Sequence, residues 1–183
     1  MSKTLPAAYQ WLNKVAGLPK ELSVALKLFG VLEVKGKGSN STITGWAKEV
    51  GVKGWYPDDS VPWCGLFKGY CAKLADWLKT PKYDLLSALS WLAWGVVIEK
   101  GMECLGDTLV FSRPGGGHVG YYIGEDKTHF CVFGGNQADS TSFTWIEKTR
   151  LMGVRRAPFK VQPEGVKKIM LNRSGEPVSQ NEC

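Results

Sequence analysis

The sequence predicts an α+β domain in which N-terminal helices pack on a C-terminal antiparallel β-sheet. Three observations carry this. Across the first hundred residues, apolar side chains recur at helical spacing in segments that open near a proline and close at a glycine. From about residue 105 to 160 the segments are instead short, rich in Val, Phe, Tyr and Ile, and punctuated by Gly, Asp and Pro. The length of 183 residues, with 44% hydrophobic and 22% charged residues, suits one domain with a buried core. The expected organisation is a single domain over 1–160, helical to about 100 and sheet over about 105–160, followed by a basic C-terminal tail over 161–183.

The elements follow in order. LPAAYQWLNKVAG and LPKELSVALKLFGV read as two short helices with Pro near the start and Gly at the end. EVKGKGSNSTI is a Gly- and Ser-rich loop whose Ser39-Asn40-Ser41-Thr42 run supplies a cap for the next helix, ITGWAKEVG. After a turn through Pro57, Asp58 and Asp59, a helix opens at Trp63-Cys64. Its Leu66, Phe67, Tyr70, Cys71, Leu74, Trp77 and Leu78 form one apolar stripe, which places Cys71 in the core. LLSALSWLAWG is a further short helix ending at Gly95. DTLVF, HVGYYIGED, THFCVFGG, SFTWIEK and MGVRRAP then read as strands of an antiparallel meander, with a hairpin turn at Gly124-Glu125-Asp126-Lys127. The last stretch, from about 162, has little periodicity and reads as a loosely docked tail or a small surface element.

Composition narrows the function. Eight tryptophans, seven of them in the first hundred residues, build core or line a groove for a polymer. The net charge is +6, and Lys148, Arg150, Arg155, Arg156, Lys160, Lys167, Lys168 and Arg173 face only Glu164 late in the chain. This is either a solvated basic face or a surface for an anionic partner such as nucleic acid, a membrane surface or an acidic cell-wall polymer. No helix-turn-helix, zinc-finger or RNP-like pattern points to nucleic acid. Five cysteines without CxxC or framework spacing, and an N-terminus without an apolar signal segment, lead to the expectation of a cytoplasmic chain with reduced thiols. No metal site and no cofactor are expected, since two histidines without HExxH spacing make a poor zinc centre.

The chemistry centres on Cys64. At a helix N-terminus the backbone N–H groups and the macrodipole favour a thiolate, so the expectation is a lowered thiol pKa. Of the two histidines, His118 opens a strand after three glycines and stands at the rim of a cleft. His129, beside the hairpin turn, reads as a surface residue. Asn136, after Gly134-Gly135 at the end of the neighbouring strand, is placed to orient His118 toward Cys64 in a Cys-His-Asn arrangement. The same Gly-Gly-Asn also reads as a simple turn with Asn in the left-handed region.

Seven segments in order, LFGVLEVKGKGSN, DDSVPWCGLF, ALSWLAWG, GDTLVFSR, HVGYYIGED, VFGGNQADS and RLMGVRRAP, resemble the papain-like cysteine peptidoglycan hydrolases of the NlpC and CHAP type. They look closest to a compact, phage-associated branch, and together cover about residues 18–158. The resemblance implies a papain-like fold and cleavage of an amide bond in the stem peptide of peptidoglycan, as an endopeptidase or an N-acetylmuramoyl-L-alanine amidase. It implies Cys64 as nucleophile, His118 as general base and Asn136 as orienting residue, with Gln137 its nearest rival. Glu33 and Trp63, with Gln137, match positions that border the cleft and touch substrate; Glu33 reads equally as a structural partner, and Trp63 as a packing residue ahead of the helix. It further implies a phage lysis enzyme, an endolysin. Such a protein is expected to be monomeric and to wait in the host cytoplasm before acting on the wall, with its basic C-terminal part against an anionic envelope. Two other readings stay open: a thiol amidase or acyltransferase with another amide substrate, and a non-catalytic wall-binding or virion domain on the same scaffold.

Overall fold

The computed structural model describes residues 3–77 and 84–178. Leu78, the last residue of the expected apolar stripe, and Cys183 lie outside the described residues. The first segment, Ala7–Lys14, is a 3-10 helix burying Tyr9 and Leu12. Eight residues between proline and glycine boundaries are too few to favour an α-helical nucleus by themselves. Helix α1 spans Lys20–Leu26 behind Pro19. Helix α2, Ser41–Glu49, starts at Asn40, whose side-chain oxygen accepts from the Thr42 N–H at 2.8 Å. Helix α3, Cys64–Leu74, buries Leu66, Phe67, Lys68, Cys71 and Ala72. The segment expected as a helix before Gly95 is a 3-10 helix, Ala88–Ala93.

Six strands form one antiparallel sheet: β1 (Val96–Ile98), β2 (Thr108–Arg113), β3 (Gly116–Glu125), β4 (His129–Gly134), β5 (Ser142–Glu147) and β6 (Leu151–Arg156). Their order is β1-β6-β2-β3-β4-β5. Only β2 to β5 make the expected meander. Strand β6 crosses back to pair with β2, and β1 caps that edge. Three residues carry too little alternation to announce β1 in the sequence.

Strand β3 is buried over its last eight residues because both faces are covered. On one face, Phe67 of α3 packs against Tyr121 and Phe133 with ring centroids 6.4 and 6.0 Å apart. Residues 161–178, expected as a loosely docked basic tail or a small surface element, dock on the sheet. The Tyr122 hydroxyl donates to Ile169 O at 3.1 Å, and Glu125 exchanges backbone bonds with Ile169 O and Leu171 N at 2.9 and 2.8 Å. Ile169 and Leu171 thereby join the core. Isolated apolar residues between lysines show no period, which hid this packing from the sequence. Among the described residues, no helix is long and apolar enough to cross a membrane.

Candidate active site

Helix α3 begins directly after Pro62 and Trp63, and Trp63 supplies no side-chain cap. Its first turn therefore presents unsatisfied N–H groups at Cys64. Gly65 is required there: a Cβ would lie 2.4 Å from Leu86 O and 2.6 Å from Leu85 O, so the 85–86 backbone crosses the helix start in close contact. Cys64 is almost completely buried, at 2% exposure. The expectation of a lowered thiol pKa is corrected here. Burial pushes the Cys64 thiol up, against the opposing pull of the Val119 N–H, the Arg113 guanidinium and the N–H groups of Gly65 and Cys64 itself. A helix N-terminus favours the thiolate, but loss of water outweighs it.

Val119 follows His118 on β3, so the thiol sits beside the backbone of the histidine strand. His118 is itself buried, at 6% exposure, rather than open at the rim of a cleft. Burial lowers its pKa from 6.5 to about 4, helped by the nearby charges of Arg113 and Arg150 and opposed by its hydrogen bond to Gln137. Both groups are accordingly neutral at pH 7, a thiol and an imidazole rather than an ion pair.

The partner of His118 is Gln137, not the expected Asn136. His118 Nε2 lies 3.0 Å from Gln137 Oε1. The Gln137 amide nitrogen donates to Val132 O at 3.3 Å and to Ser142 O, which fixes which end of the amide faces the ring. An amide oxygen only accepts, so His118 carries its proton on Nε2 and keeps a lone pair on Nδ1. Asn136 has φ 55°, and Ala138 and Asp139 follow at 51° and 57°. Asn136 makes the left-handed reversal that turns the next side chain back under β4. Asn tolerates that conformation best among residues bearing a Cβ. Gly135 precedes it because a Cβ there would meet Phe67 Cβ at 2.6 Å and Trp63 at 2.8 Å.

Three non-glycine residues at positive φ in four positions need external support. Ser140 Oγ and Ser142 Oγ both donate to Gln137 O at 2.9 Å. The segment after α1 then straps the loop from outside: Gly30 N to Thr141 O and Thr141 N to Val31 O, both 2.9 Å, and Glu33 N to Asp139 O, 2.8 Å. The same strap reaches the helix start. Glu33 Oε2 accepts from Trp63 Nε1 at 3.0 Å, and Asp59 Oδ2 accepts from Val34 N and Asn40 N at 2.9 and 2.8 Å. Of the two readings of Trp63, the structure bears out packing ahead of the helix and not substrate contact, since its indole is 0% exposed and packs against Trp46. Glu33 holds that indole, and Gln137 holds the histidine.

Sequence reading missed Asp59 and Thr141, which organise the strap. It also missed Lys68, one turn after Cys64. Lys68 is fully buried, paired with Glu21 and set over the rings of Trp94 and Trp91 at 3.7 and 4.4 Å. Glu21 also accepts from the Tyr121 hydroxyl at 2.7 Å. The GLFKGYC spacing does put Lys68 on the buried face, and that was the available signal. His129 lies on the surface side, accepting from Arg173 at 2.8 Å. Among the described residues, no group of three or more His, Cys, Asp or Glu is arranged to hold a metal ion.

A scan against protein-family models finds no match for this chain, and a search of curated proteins finds no relative. The site's geometry is what bears on function.

Proposed function

We propose that this protein is a cysteine hydrolase cutting an amide bond in the stem peptide of peptidoglycan, with Cys64, His118 and Gln137 as its working set. One observation carries the reading: Gln137, pinned at its own amide nitrogen, holds the His118 Nε2–H and leaves Nδ1 as a proton acceptor on the strand that borders Cys64. A buried histidine with one nitrogen oriented and the other free is the arrangement a thiol nucleophile needs. The papain-like NlpC and CHAP resemblance supplies the substrate class, and a phage lysis role belongs to the same proposal.

The steps balance as follows. His118 Nδ1 takes the Cys64 Sγ proton as sulfur attacks the scissile carbonyl, and the N–H groups of the α3 first turn stabilise the oxyanion. The imidazolium returns that proton to the leaving nitrogen as the C–N bond breaks, giving a thioester and a free amine. Water then loses a proton to Nδ1 as it attacks the thioester, releasing a carboxylic acid and restoring the thiol. A neutral resting pair means that the proton moves during attack, not before it.

Contact between the basic C-terminal part and an anionic envelope has less support. Lys148 and Lys168 pair with Glu125, Arg156 with Asp107 and Arg173 with Asp126.

The test is mass spectrometry of fragments released from purified peptidoglycan by wild type and by Cys64→Ala. The variant should lose at least about 1,000-fold in rate, and the new termini in the wild-type digest name the bond. Equal release by both proteins would remove the thiol mechanism. Wall binding without release by wild type would favour the binding-domain reading.

A further inference from the structure

The chain has five arginines: Arg113, Arg150, Arg155, Arg156 and Arg173. Three are engaged by the fold. Arg156 forks Asp107 through Nε at 2.7 Å and Nη2 at 2.8 Å. Arg155 donates to Leu92 O at 2.6 Å and to Val154 O at 2.8 Å. Arg173 pairs with Asp126 at 2.5 Å and donates to His129. Arg113 and Arg150 differ, for among the described residues neither meets a carboxylate. Arg150 is fixed only through Nε, which donates to Ser112 O at 3.0 Å, so its terminal nitrogens stay uncommitted. Arg113 has no side-chain partner of this kind among the described residues.

These two arginines lie at the His118 end of the sheet. Phe111 pairs with His118 across β2 and β3, and with Leu151 across β2 and β6. Arg113 is two residues beyond Phe111 on β2, so it lies on the same face of the sheet as His118. Arg150 immediately precedes Leu151. Both are partly exposed, and both lie on the β2 and β6 side of the histidine strand. Both charges also act on the ring, and that of Arg113 on the thiol.

Two unpaired cations beside a histidine that must accept a proton work against the base when the site is empty. A planar guanidinium fork suits a carboxylate better than any other common peptide group. Resting on the reading of Cys64 and His118 as the reacting pair, we propose that Arg113 and Arg150 bind a free carboxylate carried by the peptide residue beside the scissile amide. Once bound, that carboxylate cancels the field of the two guanidinium groups, so His118 accepts the thiol proton more readily in the complex than in the free protein. The arginines are thus binding residues that select an acidic peptide and relieve the base at the same time.

The test uses two probes that differ in one carboxylate: N-acetyl-alanyl-glutamic acid and N-acetyl-alanyl-glutamine, each amidated at its C-terminus. Titration into 15N-labelled full-length protein follows the Arg Nε–H and His118 ring resonances. The acid should bind at least tenfold more tightly than the amide, with saturable shifts at Arg113, Arg150 and His118. Arg113→Gln with Arg150→Gln should abolish the discrimination. The Arg→Lys pair, which keeps charge without the fork, should retain part of it. Equal binding of both probes, or discrimination that survives in the double Gln variant, overturns the proposal. Discrimination in a protein that releases nothing from walls keeps the carboxylate site and removes the hydrolase reading. Wall cleavage without discrimination does the reverse.

Discussion

Helix α3 buries two polar side chains one turn apart, Cys64 and Lys68, and treats them in opposite ways. Lys68 is completed by the protein: Glu21 pairs with it, Tyr121 holds Glu21, and Trp91 and Trp94 face the ammonium. Cys64 is left with backbone N–H groups and the charge of the Arg113 guanidinium, which do not offset its burial. A buried group whose partners are all present stabilises one packing of α1, α3 and β3. A buried group lacking its charge partner holds a neutral form in readiness for a reaction that supplies one. Burial alone therefore does not single out the proposed site on this helix. The state of completion does.

The largest expected effect tests the completed half. Glu21→Ala leaves an unpaired ammonium at 0% exposure, and breaking such a pair costs about 3–5 kcal/mol. Urea unfolding should show that loss, while Lys68→Met with Glu21→Gln should recover most of it, because no buried charge remains. A loss below about 1 kcal/mol for Glu21→Ala would mean that Lys68 finds water on this helix face, and the contrast with Cys64 would lapse.

The same contrast explains what was legible beforehand. Cys64 and His118 stood out because few cysteines follow a Pro-Trp helix start and only two histidines are present. The strands from β2 to β6 were legible from β-branched and aromatic runs between turns. Gln137 displaced Asn136 through the left-handed φ of 55° at Asn136, a backbone property that residue identity permits but does not dictate. Glu33 and Asp59 work through a strap joining segments far apart in sequence, and no local pattern reports such a contact. The Lys68 pair was hidden for the same reason, since Glu21 lies 47 residues away on α1.

The incomplete half is tested by acid. The unfolded His118 imidazole protonates around 6.5, whereas the folded one resists until about 4. Between those values the unfolded chain binds more protons, so stability falls as pH falls. The contribution is present in full above 6.5 and is lost by about pH 4, amounting to roughly 3 kcal/mol. His118→Gln should flatten this part of the stability profile measured by urea unfolding from pH 7 to 4. An unchanged slope would show that His118 charges freely in the native state, and the neutral resting pair would be wrong.

The smallest effect separates two adjacent residues. Gln137→Ala removes the acceptor of the His118 Nε2–H and leaves a buried donor unmet, worth about 1–3 kcal/mol, or roughly 10- to 100-fold in kcat. Asn136→Gly keeps the left-handed reversal and should leave kcat within about twofold. A loss of packing alone would also lower activity in Gln137→Ala, so the deciding variant is Gln137→Glu. A carboxylate at this point favours the imidazolium and raises the His118 pKa, which moves the acid limb of kcat/KM to higher pH while the ring stays oriented. A limb that moves with residue 137 and ignores residue 136 assigns the histidine to Gln137. A limb that moves with neither makes the loop a scaffold only, and the histidine is then held by its burial.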